Sequence, residues 1–430
     1  MKKKLAILCL LLILLFNFPV FAIKSNDALD ITKQVSINGE LDFPKITDND
    51  MSTFCNIEKT TKIVVTSKKG FYGVNFIFDV PPKKWRIIQE NNDEIPCGKN
   101  GFLHEYVKFD NQQKKITIEF ECAKLSEIQF FTDGKLPSNV QIWNPPHYNS
   151  DLLLVCDKAG DEFNLFGGLI PLLEKDEKIQ VAYMQELFDK SNSKLQHDLL
   201  NSLWNSGLTT YPSFFESKKS DEKEDDILQY QVEIIRRFKS NVIVLPDENS
   251  PNFGSFKKAL TAAKKPEEFQ LSALEYGVYS PEKVYNVSTK NDDNLTKLDF
   301  SSSINIAQKS LDFYGFKNKI VTEKTNSYNL LYASVGKDGN KNDLFENIIL
   351  DKTENIQLPV ENETTNPTQE NIIKEKENSK KNKRSLIGNS LIICGILIMI
   401  FSVSHKNRRK KRNLASPPLT HNSMRDKYIQ

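Results

Sequence analysis

The chain has 430 residues, of which 39% are hydrophobic and 27% charged, and its formal net charge is +2. The charge is unevenly placed, because residues 23–403 hold 47 Lys and Arg against 55 Asp and Glu, whereas residues 404–430 hold 8 against 1. The basic tail favours contact with an anionic inner membrane leaflet and says nothing about nucleic acid. Nucleic acid is not an expected partner, because the main part is expected to lie outside the cell.

Residues 1–22 predict a signal peptide. Three lysines precede an apolar core at residues 5–16, and the segment ends with the small residue Ala22. We therefore expect the rest of the chain to be exported, where disulfides can form. Cys97 and Cys122 are the preferred pair because each lies at the edge of a predicted strand, although the spacing leaves the connectivity open.

Residues 30–142 predict a β-sandwich. Short strand-like segments separated by turn residues occur at 62–67, 73–79, 84–90, 102–109, 115–120 and 127–131. The stretches 46–53 and 126–131 resemble a galactose-binding, discoidin-type sandwich. Such sandwiches often bind glycans and others only brace a neighbouring domain, so both interpretations stay open here.

Residues 147–350 predict an α/β domain that follows a rigid joint at Pro145 and Pro146. Leu152–Cys156 is a wholly apolar run, which is typical of a strand covered on both faces of a parallel sheet. A second strand is predicted at 178–184, helices at 194–205 and 227–238, and another buried strand at 241–245. This alternation indicates a fold of α/β class.

Charged residues follow the first buried strand directly, at Asp157, Lys158, Asp161 and Glu162. Ligands of open α/β sheets bind where strands end and helices begin, so this cluster is a predicted ligand site. The alternative is a solvated turn between two elements. Asp247, just after the strand at 241–245, belongs to the same set of candidates.

The run from Lys158 to Glu162, followed by Phe166-Gly167-Gly168, resembles the signature of the PIG-L-type N-acetylglucosamine deacetylases. Stretches at 199–212 and 328–348 also resemble the exported, membrane-anchored branch of that family. The resemblance implies a Rossmann-like domain and a zinc hydrolase site with two matched segments. In the first segment Lys158 stands in place of a His ligand, Gly160 in place of the general base, and Asp161 is the one retained ligand.

The second segment of that site matches residues 252–258, which places Ser255 and Lys258 where the family carries histidines. Lysine has a pKa of about 10.4, so at neutral pH it offers no lone pair to a metal. We therefore expect no zinc, no other cofactor and no catalytic residue. The lysines are predicted to surround Asp161 with positive charge in place of the metal, and His197 is predicted to be structural or, alternatively, to contact a ligand.

Residues 351–384 lack aromatics and have the composition of a disordered linker. Residues 386–403 form an uncharged apolar segment long enough for one transmembrane helix, and six basic residues follow within 406–412. The positive-inside tendency places residues 404–430 in the cytoplasm and both folded domains outside a cell membrane spanned once.

The leading functional hypothesis is a membrane-anchored, catalytically inactive PIG-L-like protein that binds cell-wall or surface glycans. The first alternative is a zinc-dependent N-deacetylase of glycans containing N-acetylglucosamine that acts through a non-standard site. The second alternative is a structural surface protein that assembles with a partner.

Overall fold

Two β-sheets with helices against the second make up the computed structural model, which describes residues 27–39, 43–146, 150–188, 192–216, 224–290, 292–315 and 324–350. All of them belong to one unit, residues 1–351. The predicted signal peptide, linker, membrane helix and tail lie outside the described residues. Within these ranges no helix has both the length and the apolarity needed to cross a membrane.

The first sheet contains seven antiparallel strands in the order β2-β7-β3-β6-β4-β5, with β1 paired to β3. The strands are β1 Val35–Asn38, β2 Cys55–Ile57, β3 Thr61–Val80, β4 Trp85–Ile88, β5 Glu94–Cys97, β6 His104–Phe120 and β7 Ala123–Phe131. Single helical turns lie at Thr32–Gln34 and Phe43–Ile46.

This sheet folds over on itself around one core. Phe76 of β3 is opposite Glu105 of β6, yet its ring centroid lies 6.0 Å from that of Phe120 at the other end of β6. The strand pairing shifts between Thr66 and Gly73, where the two long strands bend. Four of the six predicted segments are thus joined into two long strands, 62–67 with 73–79 in β3 and 102–109 with 115–120 in β6. In β3 the chain continues through an irregularity at residues 68–72 instead of making a hairpin turn.

The predicted disulfide between Cys97 and Cys122 is wrong, since the four cysteines of the described residues are free. Cys97 on β5 is opposite Trp85 on β4, which is in turn opposite Phe120, two residues before Cys122. The strand β5 that carries Cys97 and the strand β6 that ends before Cys122 are thus separated by two strand spacings of about 4.8 Å each. This distance exceeds the reach of a disulfide. Each thiol instead donates to a nearby carbonyl oxygen, that of Ile95 or Glu58.

The second sheet has the order β10-β9-β8-β11-β12-β14-β13. Its strands are β8 Leu152–Cys156, β9 Val181–Phe188, β10 Ser213–Glu216, β11 Val242–Leu245, β12 Lys283–Val287, β13 Thr296–Asp299 and β14 Thr325–Ala333. The first five are parallel, and β14 is antiparallel to both neighbours. The mixed α/β class predicted from the sequence is confirmed.

Helices cover both faces of this sheet. They are α1 Asp161–Asn164, α2 Leu169–Pro171 with a π-helical continuation at Leu172–Glu177, α3 Ser193–Ser206, α4 Glu224–Phe238, α5 Phe253–Ala262, α6 Gln270–Tyr276 and α7 Ile304–Asp312. The α3 and α7 helices share one buried cluster with alternate residues of β8, such as Leu152 and Leu154. The α4 and α5 helices share another with Leu153 and Val155.

The two sheets are joined by a common core rather than by a flexible joint. Phe102, Leu103 and Trp143 are buried in the same cluster as α3 and β8. The Phe102 ring stacks on Tyr211 with centroids 4.3 Å apart, and the Trp143 ring meets Trp204 edge to face at 5.3 Å. The sandwich and the α/β layers therefore form a single packed body.

Candidate functional site

The order of the parallel strands reverses between β8 and β11, because β9 and β10 follow β8 on one side and β12 follows β11 on the other. In open α/β sheets the crevice at the carboxyl ends of such strands is the usual ligand position. Here Asp157 follows β8, Glu186 lies near the end of β9, and Asp247 follows β11. We call the region around these three carboxylates the crevice.

Asp157, like Asp247, is a partly exposed carboxylate of the crevice. Ser250 Oγ donates to Asp157 Oδ1 over 2.8 Å. Burial raises the pKa of Asp157, and the charge of Asp247 acts in the same direction, while the Ser250 hydrogen bond and the exposed Lys158 oppose the increase. This electrostatic interaction shows that Asp157 and Asp247 lie near each other at the same edge of the sheet.

Glu186 is the buried carboxylate, with 1% of its surface exposed. Gln231 Nε2 donates to Glu186 Oε1 over 2.5 Å, and Ser255 Oγ donates to Gln231 Oε1 over 2.8 Å. Burial raises the pKa of Glu186 to about 8, and the charge of Asp157 contributes. The side chain of Asn252 acts on both carboxylates. Two buried atoms, Glu186 Oε2 and Asn252 Nδ2, have no well-aligned hydrogen-bond partner among the described residues.

The first segment that resembles the deacetylase signature differs in its details from the predicted arrangement. Asp161 is buried at the first position of α1, and its Oδ2 accepts the backbone N–H of Lys158 over 3.1 Å. The side chain of Lys158 is exposed and its charge acts on Asp157, whereas the prediction that the lysines surround Asp161 with positive charge stays a prediction. Gly160 has φ +91°, a left-handed conformation in which a side chain would be strained.

The second segment lies in α5. Ser255, in the first turn, is occupied by its bond to Gln231, and Lys258, in the second turn, is exposed. In the part of the chain that the structure describes, no three His, Cys, Asp or Glu side chains are grouped so that they could hold a metal ion. The residues at the matched positions, with Asp161 as their one metal-ligand side chain, do not fit a zinc site.

Glu162, the residue after Asp161, lies in the interior of the protein. It is fully buried, and its carboxylate accepts hydrogen bonds from the Tyr314 hydroxyl and from the backbone N–H of Gly160. The Tyr183 hydroxyl lies 3.5 Å away and donates over 3.0 Å to Gln185. Burial raises the pKa of Glu162 to about 7. Its contacts are those of a core polar network, which leaves no face for a ligand.

His197 is buried at the seam between the sheets, where its Nδ1 lies 3.0 Å from Nε2 of His104. Burial lowers the pKa of both imidazoles, His104 the more strongly, so both are neutral at pH 7. His197 therefore packs α3 against the sandwich.

The sequence interpretation missed Glu186, Gln231 and Asn252. Glu186 comes two residues after Met184, where the strand predicted at 178–184 ends. The expectation that ligands bind where strands end, which makes Asp157 a candidate, therefore applies equally to Glu186. Gln231 lies within α4 and Asn252 precedes α5, and their spacing from any strand end carries no comparable signal.

No family model and no curated protein matches the chain. Among solved structures it is similar to N,N'-diacetylchitobiose deacetylase from Pyrococcus horikoshii, with 12% identity over 42% of this chain and 84% of that one and a TM-score of 0.35. It is similar to the conserved protein TT1542 from Thermus thermophilus, with 15% identity over 39% and 79% and a TM-score of 0.32. It is also similar to a chitosan-binding module from Paenibacillus sp. IK-5, with 9% identity over 23% and 94% and a TM-score of 0.20. Similarities with such low identities and TM-scores support no conclusion about the function of this chain.

Proposed function

We propose that this protein is a non-catalytic glycan-binding protein, anchored by one membrane helix at residues 386–403 with both sheets outside the cell. The observation that carries the proposal is the composition of the crevice. Asp157 and Asp247 supply carboxylate acceptors, Asn252 an amide and Ser250 a hydroxyl, all partly exposed at the ends of the parallel strands. These are the groups that hydrogen-bond sugar hydroxyls and acetamido groups.

The same crevice lacks the chemistry of a zinc hydrolase at the matched positions. Gly160 offers no general base, which is worth about 10²- to 10⁴-fold in rate. Lys158 and Lys258 are exposed cations, so they would repel a divalent metal. We infer that the ligand is bound and released unchanged, and that it contains N-acetylhexosamine.

Titration calorimetry of the full chain in detergent with N-acetylglucosamine oligomers tests this proposal. Asp157→Asn should weaken binding at least tenfold, because one of the two acceptor oxygens becomes an NH2 donor and the negative charge that strengthens the hydrogen bonds from sugar hydroxyls is lost. Asp312→Asn, which changes an exposed carboxylate at the end of α7, serves as the control and should bind normally. Equal affinity of the two variants would contradict a role for the crevice.

A hydrolase that acts without the matched positions is the second candidate, because Glu186 and Asp157 form a pair of carboxylates with raised pKa values in the crevice. Such pairs can divide the roles of acid and base. This candidate predicts release of acetate from N-acetylglucosamine oligomers, with loss of turnover in Glu186→Gln. Acetate release that Glu186→Gln abolishes would replace the binding proposal, whereas binding without release would support it.

A further inference from the structure

The bend of β3 forms a groove on the sandwich, apart from the crevice. Its volume is about 450 Å³, which lies in the range of sites for small ligands. The groove is lined by Gln34, Ser36, Thr66, Ser67, Lys68 and Lys69. Every lining residue has a polar side chain, and none is acidic. The groove exists because the strand pairing is interrupted after Thr66 and Gly70 turns the chain at φ +74°.

One hydroxyl in the groove has no hydrogen-bond partner in the described part of the chain. Ser67 is 7% exposed, and its Oγ is buried without a partner. A buried polar atom without a partner costs about 1–3 kcal/mol, so it marks a position where a ligand atom can supply the missing bond. Gln34 and Ser36 are exposed beside it and can donate to the same ligand.

The surroundings of the groove are strongly basic although the exported part of the chain is acidic overall. Lys68 and Lys69 line it, and Lys33 lies in the turn before β1. The adjoining stretch of β6, residues 108–115, holds three further lysines and the single acidic residue Asp110, and Thr66 is opposite Lys115. Clustered like charges raise the local concentration of an oppositely charged ligand.

We propose that this groove binds an acidic sugar unit, whose anionic group contacts Lys68 and Lys69 and whose hydroxyls bond to Ser67 and Gln34. The volume and the neutral donors favour a saccharide over a bare inorganic anion. The ligand class rests on the glycan-binding function proposed above, but the site does not, because the groove shares no residue with the crevice.

Binding of the full chain in detergent to three polymers tests the inference: polygalacturonate, dextran sulfate and neutral dextran. The double substitution Lys68→Ala with Lys69→Ala should weaken binding of an acidic polymer at least tenfold. The control is Lys83→Ala with Lys84→Ala, which removes an adjacent pair of exposed lysines from the same sandwich and should cost less than threefold. Ser67→Ala, with all charges retained, should weaken binding about threefold to tenfold.

The three polymers identify the anionic group, since a preference for polygalacturonate indicates carboxylates and one for dextran sulfate indicates tetrahedral oxyanions. An equal loss of affinity in the two double variants would overturn the groove as a site, because it would mean that the polymer is attracted by net charge alone. Equal binding of neutral and acidic dextrans would also overturn it. Either result leaves binding of N-acetylglucosamine oligomers at the crevice unaffected, so failure of this inference and failure of the proposed function are separable.

Discussion

Replacing Glu186 by glutamine should make the protein more stable at alkaline pH. In the folded state burial raises the pKa of Glu186 to about 8, whereas a free glutamate has a pKa of about 4.3. The folded state therefore holds a proton that the unfolded state releases between these values. Stability from this group is fully present below the unfolded pKa and is lost as the pH rises through 8.

The size of this stability change follows from the width of the pH interval between the two pKa values. Each pH unit between the two pKa values costs about 1.36 kcal/mol, so this one group lowers the unfolding free energy by about 3 kcal/mol between pH 5.5 and pH 8. Glu186 is almost fully buried, so solvent screening does not reduce this value. In Glu186→Gln the new side chain keeps an amide oxygen that can accept the bond from Gln231, and it carries no charge, which removes the penalty.

Urea unfolding of the full chain at pH 5.5 and pH 8, followed by tryptophan fluorescence, measures the effect. The stability of Glu186→Gln should vary with pH by about 3 kcal/mol less than that of the unsubstituted protein. Glu121→Gln, at an exposed position on the sandwich, is the matched control and should leave the pH dependence unchanged. Identical pH dependence in both variants would show that Glu186 is ionised at neutral pH and would refute the reasoning.

Three further outcomes are expected. Arg236→Met should destabilise by about 4–6 kcal/mol in urea unfolding, because the five N–H groups of the buried guanidinium reach five carbonyl oxygens and one hydroxyl, and each satisfied donor contributes about 1 kcal/mol. Arg237→Met should cost under about 1 kcal/mol. Trp143→Ala should cost about 3–5 kcal/mol, because its ring fills the core shared by the two sheets. Protease added to intact cells should remove both sheets and leave a fragment that contains residues 386–430, and protection of the α/β layers would contradict the proposed orientation.

The parallel strands were predictable because burial on both faces leaves a local signal. β8 and β11 are short apolar runs without alternation, and the structure places both in the middle of the sheet. The helix predicted at 194–205 is α3, with Asn192 as its N-cap and Gly207 at its end. Each of these signals lies within a few residues of the element that it predicts.

The contacts that the sequence did not reveal join residues far apart in the chain. Glu162 is bonded to Tyr314, 152 positions later, and His104 meets His197 across 93 positions. Whether Glu162 faces solvent or the interior depends on Tyr314, which no local pattern connects to it. The exposure of Lys158 has a related cause, because a matched position in a motif determines the backbone and leaves a long side chain free to reach solvent.

The shared core gives the proposed sites a property that two domains on a flexible joint would lack. Because Phe102 and Trp143 are buried with α3, the groove on the sandwich and the crevice on the α/β layers are held at a constant separation. A polymer that reaches both sites binds the second without a further loss of translational freedom, and the gain depends on a span that does not fluctuate. A short oligomer occupies one site only and gains nothing. Under the two proposals, a long glycan with both N-acetylated and acidic units binds more tightly than a short oligomer that occupies one site.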